Sequence, residues 1–183
     1  KVTIYLNPTA KSSVRGFYRE AEEIYAAEND EKMLAVVYQN LADIAENNEE
    51  ANSYLNKAIA VFQRQNDVVN LGWSYFVLGL NQEDAQENAQ ALVSYEAALE
   101  VFTNNNMPGG ISDVLYCIGM LYHRQNKNQL AKKHLQESLK IALEIPLKPN
   151  IQSAYEGLSQ IYLAEKDFAQ AYATLEKSNA YQD

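Results

Sequence analysis

Cysteine is almost missing from this chain: Cys117 stands alone among 183 residues. A single thiol forms no internal disulfide, so no bridge framework can hold the fold, and the redox compartment stays open. Cys117 falls mid-helix in the reading below and is expected to be a small apolar filler. Its nearest charged neighbour, Asp113, would raise a thiol pKa rather than lower it. Histidine is also scarce. His123 and His134 are the only two, and they fall on different expected helices with no thiolate near them. No metal site and no cofactor are therefore expected. Gly-rich phosphate loops are absent. Acidic runs such as "AEEIYAAENDE" read as solvated helix faces, so no catalytic residue is assigned and an enzyme is not expected.

Basic residues are short as well. Lys and Arg number 15 against 24 Asp and Glu, a formal charge of −9. Such a surface repels phosphate backbones, which excludes nucleic acid as a direct partner. No apolar run reaches the length of a membrane span, so no membrane contact by this segment is expected. The sequence opens at Lys1 with no visible leader, and it reads as a mature form or an excised piece. Cytoplasm and bacterial periplasm both remain open. Only four prolines and seven glycines interrupt the chain, which leaves room for long helices.

What is present is a period. Ala51, Ala91, Ala131 and Ala171 recur every forty residues. Leu55, Tyr95, Leu135 and Leu175 follow each by four, and Ala58, Ala98, Ser138 and Ser178 by seven. An i, i+4, i+7 set is one face of a helix, here small–large–small, which lets another helix approach closely. Asn48, Asn88 and Asn128, with Asp167 in the last copy, are expected to cap these helices. A second helix family precedes the first, with faces Tyr38–Leu41–Ala42, Tyr75–Leu78–Gly79, Leu115–Ile118–Gly119 and Tyr155–Leu158–Ser159. Pro108, Gly109, Gly110, Pro146 and Pro149 are expected to separate the pairs.

These spacings carry a family likeness. "LYCIGMLYHRQNKNQLAKKHLQESL" and "YEGLSQIYLAEKDFAQAYATLEKS" resemble tetratricopeptide repeats. Gly119, Tyr122 and Ala131 stand at the signature places in one copy, and Ser159, Tyr162 and Ala171 in the next. The resemblance covers residues 31–183 and implies an all-α fold, a right-handed α-solenoid of antiparallel helix pairs. The repeats fall at about 31–66, 67–107, 111–146 and 151–183. An orphan helix over 12–28, with Val14, Tyr18, Ala21, Ile24 and Tyr25 on its face, opens the domain 12–183, and 1–11 is read as irregular. Family repeats have about 34 residues. The forty-residue form, similar to that of bacterial regulatory and sensor proteins, is expected to lengthen the second helix, with extra apolar residues at Val61–Phe62, Val101–Phe102 and Ile141–Leu143. No polar capping helix follows the last repeat, so the sequence reads as a fragment of something longer or as one whose end packs on a partner.

"NLGWSYFVLGL", residues 70–80, is apolar on nearly every side of a helix, whereas a surface helix needs one stripe. Tyr75, Leu78 and Gly79 take the packing side; Trp73, Phe76 and Leu80 lie roughly opposite. By family register that second side faces the groove. The same register holds Val36, Gln39, Asp43 and Glu46 in the first repeat. It holds Asp113, Tyr116, Met120, His123 and Arg124 in the third, and Ser153, Glu156, Gln160 and Leu163 in the fourth. The expected site is an apolar patch of Trp73, Phe76, Leu80, Tyr116 and Met120 rimmed by Gln39, Asp43, Asp113, His123, Arg124, Glu156 and Gln160. A stripe packed as core is the alternative reading. Some family members grip a peptide carboxylate with Lys, Asn and Arg. Gln39, Asp43, Val77, Asp113 and Cys117 occupy those places here, so a basic or amphipathic protein or peptide is the better match.

The resemblance thus implies a protein- or peptide-binding module, the sensory or regulatory part of a larger bacterial signalling protein. The alternative is a self-association scaffold, pairing as a homodimer through the C-terminal helix with Tyr172, Leu175 and Tyr181.

Overall fold

The computed structural model describes residues 8–181, with side chains from residue 13 onward. Every regular element among the described residues is a helix. Contacts divide the chain into a first unit, Lys1–Glu87, and a second, Asn88–Asp183. The first unit holds α1 (Pro8–Ala27), α2 (Glu31–Asp43), α3 (Asn48–Gln65) and α4 (Val68–Asp84). The second holds α5 (Asn88–Asn104), α6 (Pro108–Arg124), α7 (Asn128–Glu144), α8 (Lys148–Ala164) and α9 (Phe168–Asn179). Within each unit every helix packs on the next in sequence, and α6 also touches α8. Short connections impose this, because the chain must fold straight back. α1 begins at Pro8, ahead of the start at residue 12 read from sequence. Residues 1–7 of the segment read as irregular lie outside the described residues.

The forty-residue period resolves into halves of twenty. α4, α5, α6, α7 and α8 each have 17 residues, joined by three-residue turns. The extra length expected of the second helices is therefore shared equally with the first. Most turns use one device, a single left-handed residue. Asn29, Asn66, Gln86, Asn106, Asn126 and Lys166 have φ between 51° and 63°. The next residue then donates its N–H back to a carbonyl of the last helical turn, as Lys127 N does to Tyr122 O at 2.9 Å. This closes carbonyls that would otherwise be orphaned. Pro146 breaks the series, since its ring holds φ near −65°.

Two punctuation readings need correction. Asn48, Asn88 and Asn128 are first helical residues, not caps. The capping bonds come from Asp30, Asn47, Asp67 and Asp167, each accepting the N–H three residues on. Before α7 the left-handed Asn126 sets the cap at Lys127, which moves Asn128 inside; before α3 the cap is the extended Asn47, with Asn48 behind it. Pro108 and Pro149 likewise sit in the first turns of α6 and α8, where a missing N–H costs nothing.

The small–large–small face is the core. Leu55, Ala51, Ala42, Ile59 and Leu78 form one cluster in the first unit; Ala131, Leu135, Leu158 and Ile161 form one in the second. Tyr95, Phe62 and Phe102 are fully buried. No described helix is long and apolar enough to cross a membrane.

Candidate functional site

In the first unit, α4 buries one stripe of Gly72, Ser74, Leu78, Gly79 and Asn81. Ser74 is held inside by its hydroxyl, which donates to Asn70 O at 2.7 Å. Gln39 Nε2 donates to Ser74 Oγ at 2.8 Å and so braces α2 against α4. The opposite stripe, Trp73, Phe76 and Leu80, is half-buried throughout. Trp73 and Phe76 meet edge-to-face, with ring centroids 5.7 Å apart. Such a pair sets the two rings rigidly against each other. Asp43, the last residue of α2, is exposed.

In the second unit the residues read as groove-lining are largely engaged. Tyr116 and Met120 pack beside the Ala131–Leu135–Leu158–Ile161 cluster, and Met120 sulfur lies only 3.1 Å from where a Cβ on Gly157 would stand. The core alternative left open by the sequence therefore describes part of their surface. Asp113 accepts from Asn150 Nδ2 at 2.7 Å. Beside it Ser138 Oγ donates to Ser112 O at 2.8 Å, a buried polar tie between α6 and α7. Glu156 accepts from Gln152 Nε2 at 2.9 Å and from Ser178 Oγ at 3.2 Å, which ties α8 to α9. His123 Nδ1 pairs with Asn128 Oδ1 at 2.9 Å. Arg124 and Gln160 are exposed.

Burial lifts the Asp113 carboxyl above its ordinary value, and the Asn150 bond only partly offsets this. A raised acid favours folding below its unfolded pKa and loses that favour as pH rises through the folded value. At neutral pH the carboxylate is therefore a burden on the fold. Asp113→Asn keeps an acceptor for Asn150 and is expected to raise the melting temperature at pH 7. The gain should shrink as pH falls toward the carboxylate range, which thermal unfolding at several pH values measures.

Sequence reasoning missed the groups that hold the first unit's helix ends. Arg15 of α1 reaches Glu46 and Glu50, each at 3.1 Å, and Ile44 O at 3.1 Å. The Glu46 N–H and Arg15 hold the Glu50 carboxyl below its usual range. Lys57 Nζ lies 5.0 Å and 5.4 Å from the ring centroids of Tyr38 and Tyr54, an adjacent stacked pair. Except for Lys57 and Tyr54, which share α3, and the local Glu46–Glu50 bond, those contacts join residues far apart in sequence, where periodicity carries no signal. The outer face of α9 is also bare, with Phe168 67%, Tyr172 70% and Leu175 44% exposed, although Leu175 shares the register of the buried Leu55, Tyr95 and Leu135.

Residues 110–179 match the family model for the tetratricopeptide repeat. No curated protein sequence matches the chain. Among solved structures, apo RapI is similar at a TM-score of 0.86 and 20% identity, over 93% of this chain and 64% of that one. A STAND protein with a tetratricopeptide repeat sensor from Pyrococcus horikoshii gives a TM-score of 0.74 at 26% identity, over 96% of this chain and 29% of that one. A Rap protein complexed with competence and sporulation factor gives 0.69 at 20% identity, over 91% and 48%. The chain thus spans less than two thirds of each of these proteins. Its fold is the all-α helical-repeat solenoid that they share, and the tetratricopeptide likeness read from its residues holds.

Proposed function

We propose that this tetratricopeptide-type chain is a protein- or peptide-binding module, the sensory or regulatory part of a larger signalling protein, with the outer face of α4 as a contact surface. Two similar proteins support the reading: in the Pyrococcus horikoshii STAND protein the tetratricopeptide repeat is a sensor, and a Rap protein was solved in complex with competence and sporulation factor. The observation that carries the reading is the second stripe of α4. One apolar face is spent on the core, while Trp73, Phe76 and Leu80 remain half-buried on the other. Aromatic anchors of this kind dominate binding energy when a partner covers them. In the second unit, Tyr116, Met120, His123, Arg124, Glu156 and Gln160 offer a mixed face of the same register. A net charge of −9 and the exposed Asp43 favour a basic or amphipathic partner.

Selection of a displayed peptide library on the full chain tests this. Enriched peptides should carry apolar anchors flanked by Lys or Arg, and Trp73→Ala should weaken them about 30-fold, the loss of a hot spot. Unchanged affinity in a variant that keeps its helical circular dichroism would remove α4 from the contact surface.

The exposed α9 face favours a second reading, pairing with another copy. Phe168, Tyr172 and Leu175 lie on a helix whose Glu176 and Lys177 cancel, so two acidic chains could approach there. This reading requires sedimentation that depends on concentration; a constant monomer would end it.

A further inference from the structure

The first and the last of the described helices each carry an exposed apolar row. On α1, Phe17 is 67% and Ile24 48% exposed. Seven residues apart, they share one side of the helix. On α9, Phe168, Tyr172 and Leu175 form the second row.

The interior copies show what each row is shaped to meet. Leu175 keeps the register of Leu135, which is held from two sides. A Cβ on Gly119 of α6 would stand 2.9 Å from Leu135 Cγ, and one on Gly157 of α8 would stand 3.1 Å from its Cδ1. α9 packs on α8, while Leu175 stays 44% exposed. Phe17 and Ile24 keep the register of Tyr54 and Val61, thirty-seven residues on. Tyr54 stacks on Tyr38 of α2 with ring centroids 6.0 Å apart, and Val61 is buried. In the interior copies both registers are therefore covered by a packed helix.

The two rows fit each other better than either fits itself. α9 presents three large side chains in succession. α1 sets the smaller Ala21 between Phe17 and Ile24, a gap that accepts a knob such as Tyr172. Charge selects the same pairing. Glu20 and Glu28 flank the α1 row and are exposed, so two α1 faces would repel. No basic residue in the last turn of α1 answers the partial negative charge of its C-terminus. Exposed Lys166 stands two residues ahead of α9, and antiparallel packing sets it against the Glu28 end of α1.

We propose that the α9 face of one molecule docks antiparallel on the α1 face of a second copy, with Tyr172 over Ala21, Phe168 beside Ile24 and Leu175 beside Phe17. The assignment rests on the self-association reading and changes its geometry. The contact is head-to-tail rather than symmetric, so each molecule in a pair keeps one open face and growth continues past a dimer.

Sedimentation of the full chain at about 5–200 μM tests this, a range suited to a contact smaller than the roughly 1,200 Å² that stable complexes bury. The wild-type mass should climb past that of a dimer. Phe17→Glu and Tyr172→Glu alter exposed positions, and each variant alone should stay a monomer with unchanged helical circular dichroism. Mixed in equal amounts, they should form a dimer and nothing larger, because each supplies the face that the other has lost. Glu28→Lys should weaken wild-type assembly about threefold, and Lys166→Glu added to it should restore the assembly. A wild-type monomer at every concentration would overturn the inference together with the self-association reading. Assembly by either single variant alone would overturn the inference and leave that reading with a symmetric contact. A wild-type mass that stops at a dimer, a mixture that stays monomeric, or a charge exchange that restores nothing would also overturn it.

Discussion

Phe102→Ala is expected to lower the unfolding free energy by about 3–5 kcal/mol, a large share of the 5–15 kcal/mol that stabilises an ordinary domain. The ring is 0% exposed. It lies so close to the backbone of α6 that a Cβ on Gly110 would meet three of its atoms at 2.7–2.8 Å. Removing it deletes apolar contacts and leaves a cavity beside the α6 backbone, which is fixed by its own hydrogen bonds and cannot collapse freely. Urea unfolding followed by far-ultraviolet circular dichroism measures the loss. A change below about 1 kcal/mol would mean the ring is not packed as described.

The second large effect is a reversal of sign between two glycines. A Cβ on Gly16 would meet nothing within 4 Å, whereas a Cβ on Gly119 would lie 2.9 Å from Leu135 Cγ and 3.2 Å from the Ala131 carbonyl oxygen. Both sit inside helices, where alanine is preferred over glycine by roughly 0.5–1 kcal/mol. Gly16→Ala should therefore stabilise by about that amount. Gly119→Ala gains the same propensity but must push against a buried leucine and a backbone oxygen that cannot yield. Its net effect should be a loss of about 1–3 kcal/mol. Melting temperatures of the two variants decide this, and equal signs would contradict the close approach of α6 to α7.

That contrast also marks what the sequence can display. The places of Gly119, Leu135 and Ala131 were legible because helix-on-helix packing repeats, and a repeating constraint leaves a repeating residue. The all-α repeat fold follows from them. The turns were less legible. One left-handed residue sets most of them, and Asn, Gln and Lys all fill it, while Asn48, Asn88 and Asn128 looked like caps when they are first helical residues. Equal 17-residue helices were hidden because apolar patterning marks faces and not ends.

The candidate site shows the same division. Trp73, Phe76 and Leu80 stand out in sequence as a second apolar stripe, and the structure leaves that stripe half-buried. The polar groups behaved otherwise. Gln39 is spent on Ser74, Asp113 on Asn150, and Glu156 on Gln152 and Ser178. Gln152 lies one turn before Glu156 on α8, a pairing that helix spacing allows, but the other partners come from different helices, and no spacing rule announces those pairings.

Trp73 is the only tryptophan in the chain, so its indole N–H is a single, unambiguous resonance on the outer face of α4. Saturating the labelled protein with a library-selected peptide should move that resonance and protect it from solvent exchange. A peptide that binds tightly while the Trp73 indole stays unmoved and equally exchangeable would contradict the assignment of α4 as the contact surface.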